Sequence, residues 1–204
     1  MSECTRRESK RQETADSIVR SAIALVTKAE SIDSVSIDDI AQEAGISRRT
    51  FFNHFPTKIT VLLEPLFVYR SRYIAHVLNA SMSITAWRAV AQAVAKTIAD
   101  CDDLDLVARS EWILTRLVHS SSAPADIPHR SAYEAHNNAL RINLQQRLNQ
   151  DDPIAVELLS GIGDQVLRLA LVAVRENDNK DPRQAAQEAV THSFELLATN
   201  NFGL

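Results

Sequence analysis

A chain of 204 residues with 45% apolar side chains can bury one core or two small ones. Its net charge of −4 excludes a surface uniformly coated for nucleic acid, and two cysteines exclude a disulfide framework or a cysteine-rich zinc site. The charged start and the lack of an apolar run near ~18 residues predict neither a secretory leader nor a membrane span, so the expected location is cytoplasmic.

With four glycines and almost no alternating apolar pattern, the chain reads as all-α, with about nine helices. Residues 1 to 9 read as a disordered basic arm. The charge of Arg6 and Arg7 continues through Lys10 and Arg11, and residues 1–60 are neutral overall, leaving the acidic excess to 61–204. A first helix is predicted from Lys10 to Lys28, with Ile18, Ala22, Leu25 and Val26 inward.

The stretch from Ser36 to Lys58 is the most specific. Ser36 can cap a short helix, with Asp39 three residues on closing a capping box. Ile37, Ile40, Ala41 and Ala44 then make one apolar stripe. Gly45 sits where a left-handed C-terminal residue is wanted, and Ile46 can plug the crevice beyond it. Ser47 caps a second short helix in which Phe51 and Phe55 face inward. Arg48 and Phe52 share an outer face beside Arg49 and Asn53. Pro56 ends that helix, because the residue before a proline is pushed out of helical geometry. Thr57 caps a third helix starting at Lys58, whose cation and amide donors make a candidate phosphate clamp. Two short capped helices around a glycine turn, the second with a basic and aromatic outer face, are how a helix-turn-helix meets a DNA major groove.

At Ile40-Ala41, Ala44-Gly45-Ile46-Ser47, Thr50-Phe51-Phe52, His54-Phe55 and Lys58 the chain resembles the tetracycline-repressor (TetR) family of bacterial transcription factors. The likeness extends upstream through Ile18, Ala22, Ile23, Leu25 and Val26 and covers roughly the first third of the chain. Two departures stand out. Phe52 replaces a tyrosine whose hydroxyl reaches phosphate in the family, leaving packing on sugar or a thymine methyl. The glycine common after the family's first helix is absent near Ala29 and Glu30.

Beyond Pro56 a long helix is predicted from Lys58 to Asn79, kinked or split at Pro65. Five more follow, at about Thr85–Ala99, Asp103–Ser120, Ser131–Gln150, Pro153–Asn177 and Pro182–Thr199. Asp102, Asp152 and Asp181 are candidate caps, and 120–128 is the clearest loop. Gly161 and Gly163 read as a close helix crossing or as a place where a ligand or loop needs room, and Asp164 as the partner of Arg168. The penultimate helix is apolar nearly all round from Val166 to Val174, and the last is rich in small residues. The candidate two-fold interface is therefore Val166, Leu169, Val172, Ala185, Ala189, Phe194 and Leu196. The resemblance implies the dimer, since two recognition helices about one DNA turn apart need a two-fold axis. It also implies an effector pocket in the body, for which Trp87, Arg109, Trp112, Arg116, His119, Tyr133, His136 and Asn137 are candidates.

No histidine pair with a carboxylate between, no glycine-flanked serine and no phosphate loop is present, so metal, cofactor and catalysis are not expected. The expected organisation is a three-helix DNA-binding domain over 1–56 and an effector-binding and dimerisation bundle over 57–204. The expected function is a ligand-responsive DNA-binding regulator, a homodimeric repressor released from a palindromic operator by a small molecule. DNA would be met by Ser36, Ser47, Arg48, Arg49, Thr50, Phe52, Asn53, His54 and Lys58. The alternative is a helical small-molecule-binding module without DNA-binding activity, favoured by the acidic body and by Phe52.

Overall fold

Capping chemistry sets most of the helix ends. The computed structural model describes residues 3–119, 130–148, 152–177 and 181–199. Among these residues the chain forms α1 (Glu3–Lys28), α2 (Ile37–Glu43), α3 (Arg48–His54), α4 (Lys58–Asn79), α5 (Ala86–Ala99), α6 (Leu104–His119), α7 (Arg130–Leu148), α8 (Pro153–Glu176) and α9 (Pro182–Thr199), with no strand. The expected loop over 120–128 lies outside the described residues. Asp152 accepts from the amides of Ile154 and Ala155, and Asp181 from those of Arg183 and Gln184, as expected of N-caps. At α6 the cap is Asp103 rather than Asp102, since the Leu106 amide donates to its carboxylate at 3.0 Å.

Two further expectations are corrected. Helix α1 starts at Glu3, seven residues before the predicted Lys10, so the basic stretch from Arg6 to Arg11 is helical instead of a loose arm. Side-chain bridges one turn apart, Ser9 to Glu13 and Gln12 to Asp16, line its exposed face. Helix α4 runs through Pro65 without being split, which excludes the second of the two outcomes expected there, because a single missing N–H removes only one bond from the ladder.

The residues group into two compact units: Met1–Pro65 with Arg109–Pro128, and Leu66–Ala108 with His129–Leu204. In the first, Ile18, Ala22, Ile23 and Val26 of α1, Ile40 and Ala41 of α2, and Phe51 of α3 are buried. In the second, α8 packs against α5, α7 and α9 over a core that includes Tyr73, Val90, Val94, Leu140, Leu144, Leu167 and Leu171. Gly163 is there because a Cβ would fall 2.0 Å from the Tyr73 hydroxyl oxygen, whereas Gly161 faces open space. Asp164 pairs with Arg70 of α4, not with Arg168, through two bonds of 3.0 and 2.8 Å. Arg147 of α7 donates to the carbonyls of Val77, Ala80, Ser81 and Ile84, the first two of which belong to the last turn of α4 and its exit.

Candidate nucleic-acid interface

The geometry of 36–58 follows from local chemistry. Ser36 Oγ accepts the Asp39 amide at 3.1 Å while the Asp39 carboxylate accepts the Ser36 amide at 2.8 Å, closing the capping box. The Ser36 hydroxyl also donates to that carboxylate at 2.6 Å, and this bond first, then the one from the Ser36 amide, holds the Asp39 carboxyl below its ordinary range. Gly45 adopts φ +66°. Its amide reaches the Gln42 carbonyl at 3.1 Å and the next amide, of Ile46, reaches Ala41 at 2.9 Å, the crossed pair of a Schellman turn. Ser47 Oγ then accepts the Thr50 amide at 3.1 Å and starts α3.

Phe51 is fully buried and Phe55 nearly so, and burial of a phenylalanine side chain is worth about 1.5–3 kcal/mol. They anchor α3 from beneath, leaving Arg48, Arg49, Phe52 and Asn53 exposed on its outer side. The Arg48 guanidinium lies over the Phe52 ring, 5.5 Å from its centroid, and its Nη1 donates to Asp38 at 2.7 Å. Phe52 in turn stands edge-on to Phe51 at 5.5 Å. His54 is half-buried, and burial, then the nearby Arg11 cation, holds its pKa below the usual value.

Lys58 differs from expectation. Its ammonium donates to the carbonyls of Ile32 and Val35 at 2.6 and 2.7 Å, tying the start of α4 to the turn before α2. Carbonyl oxygens left open in that turn attract the cation inward, so two of its three protons are committed away from any phosphate.

The candidate effector residues lie on α5, α6 and α7. Arg109, Trp112 and Arg116 belong to the first unit, and Trp87, His136 and Asn137 to the second. Arg116 stacks on Trp112 at 4.7 Å and donates to the Glu30 carbonyl at 2.8 Å. Trp87 stands edge-on to Phe194 at 5.4 Å, and His136 meets the Phe67 ring at 6.1 Å. The side chains of His119 and Tyr133 lie outside those described. Sequence reading missed Tyr69 and Tyr73, whose hydroxyls, with the Asn137 side-chain oxygen, are buried without a hydrogen-bond partner. Burial pushes both tyrosine pKa values up, so they stand as neutral donors. Their tyrosine identity at core spacing was the available signal.

The candidate interface residues also divide. Val166 and Ala185 are already buried within their own chain, and Phe194 is engaged with Trp87. Leu169 is exposed, as are Ile154 and Leu158, which sequence reading passed over because they lie before the apolar run. Together with Pro153, Gly161 and Ile162, Ile154 and Leu158 line an open groove of about 550 Å³ along α8. Among the described residues no helix is long and apolar enough to cross a membrane, and no group of three or more potential metal ligands occurs.

Residues 19–64 match the family model described as bacterial regulatory proteins, tetR family. NalD of Pseudomonas aeruginosa, the secondary repressor of the MexAB-OprM multidrug efflux pump, shares the fold with a TM-score of 0.57 and 18% identity, over 92% of this chain and 96% of that one. A transcriptional regulator from Saccharomonospora viridis, solved in complex with choline, gives 0.52 and 19% identity over 93% and 97%. A TetR-family regulator from Mesorhizobium loti gives 0.50 and 17% over 93% and 97%. No curated protein matches the chain. The chain shares the fold of these regulators, and its residues 19–64 resemble the helix-turn-helix segment of the tetR family.

Proposed function

We propose that this protein is a cytoplasmic, ligand-responsive transcriptional regulator: a homodimeric repressor that a small molecule releases from a palindromic operator. One observation carries the reading. Helix α3 is clamped from beneath by Phe51 and Phe55 while Arg48, Arg49, Phe52 and Asn53 stand outward on a rigid, glycine-turned frame. A helix held that way reads base edges without first ordering itself. Ser47 and Thr50 position the helix, His54 flanks it, and Ser36 orients α2 beneath it. Residues 1–56 would serve DNA, and 57–204 the effector and the dimer.

Effector binding is supported by polar groups that the second unit leaves open. An unpaired buried polar atom costs about 1–3 kcal/mol, and a ligand that satisfies the Tyr69, Tyr73 and Asn137 atoms recovers it. The choline complex of the S. viridis regulator shows a protein of this fold holding a small molecule. The ligand acts by binding one dimer shape better than the other.

The test is selection of duplexes from a randomised pool, followed by affinity measurement on the enriched sequence over a salt series. Arg48→Ala should lower specific affinity by about 1–3 kcal/mol and relax one base position. No enrichment, with no salt-dependent binding at low ionic strength, would leave the ligand-binding module without DNA activity as the reading.

A further inference from the structure

Asp38 is an acidic side chain set on the face that would meet a polyanion, which by charge alone opposes binding. It is not turned away. Its carboxylate, second residue of α2, holds Arg48 Nη1 of α3 at 2.7 Å, while the same guanidinium rests on the Phe52 ring. Both partners are more than half exposed, so the pair contributes little to the fold itself. Its effect is on where Arg48 points. A guanidinium has five N–H donors in a planar fork; one edge is used here, and the remaining donors keep the geometry that bonds guanine O6 and N7 together.

We infer that Asp38 is a specificity-determining positioning residue, which holds Arg48 for base contact and keeps it from swinging to phosphate. This rests on the DNA-binding reading above. Without Asp38, Arg48 is a mobile cation near the backbone, and the interface loses a repulsive charge. Both changes favour sequence-independent binding at the expense of discrimination.

Five proteins decide it: the unsubstituted chain, Asp38→Asn, Asp38→Glu, Arg48→Ala and the Asp38→Asn, Arg48→Ala double variant, each taken through selection from a randomised duplex pool. Thermal melting verifies that each folds. Asp38→Asn should bind non-cognate duplex more tightly, with a salt slope steeper by about one phosphate contact. Its preference at the base pair read by Arg48 should fall about tenfold, within the range of one bidentate contact. In the Arg48→Ala background the same change should leave base preference as it was, whereas with Arg48 present Asp38→Glu should keep part of the preference that Asp38→Asn loses. An unchanged motif with Asp38→Asn overturns this inference alone. A base preference that Asp38→Asn alters even without Arg48 overturns it too, since Asp38 would then read the base itself. If the unsubstituted chain enriches no motif, the DNA-binding reading falls and takes this one with it.

Discussion

Lys58 shows how one side chain can change roles between sequence and structure. A lysine opening a helix suggests a phosphate ligand, and nothing nearby in the sequence announces a competing acceptor. The competitors are the Ile32 and Val35 carbonyls, 26 and 23 residues upstream, which only the folded turn brings within reach. Replacement by methionine keeps the aliphatic stem and removes the charge, leaving two acceptors short of a donor. Lys58→Met should therefore lower stability by about 1–3 kcal/mol in urea titration. The salt slope of DNA binding should be unaltered, whereas a phosphate-bound lysine would reduce it by about one contact.

Elements were far more legible than their partners. The turn from Ser36 to Ser47 could be read because its caps, glycine and apolar spacing act over fewer than a dozen residues, and the structure reproduces each. The end of α3 at His54, before Pro56, was equally local. Long-range pairings were not: Asp164 takes Arg70, 94 residues away, over the helical neighbour Arg168. Spacing along one helix likewise says nothing of which side chains on other helices a residue meets, as with Trp87 and Phe194. The paired glycines of α8 divide in a way one experiment exposes. Gly163→Ala forces a Cβ against Tyr73 and should cost about 1–3 kcal/mol. Gly161→Ala meets open space and should add up to about 1 kcal/mol through helix propensity. Unfolding midpoints of the two variants should therefore move in opposite directions.

At the scale of the whole molecule, the exposed apolar stripe of Ile154, Leu158 and Leu169 on α8 is a candidate self-complementary face. In a dimer formed through this face, Leu158→Asp would set a carboxylate from each chain into the apolar contact. It should give monomers in sedimentation velocity with helical content unchanged, since Leu158 is 61% exposed in one chain and supports no core. Acid sensitivity is set in both units. His54 is lowered by burial and Arg11; His76 is lowered by burial, with Lys96 and Arg72 adding and Asp100 opposing. The folded chain thus favours the neutral rings, and the unfolded chain takes up protons at higher pH. The contribution of these two groups is full above the unfolded value of 6.5 and is lost as pH falls from there to their folded values. Denaturation midpoints should be lower at acidic than at neutral pH.

Arg147 turns the stretch after α4 from a connector into a knot. One planar cation gathers four carbonyls at 2.6 to 3.4 Å, so the chain reversal toward α5 is fastened to Arg147 of α7, more than sixty residues later. A point-like ammonium could not span that fan of oxygens, which makes arginine at this position unexchangeable for lysine. The folded shape of the reversal therefore depends on α7 as much as on the turn's own residues.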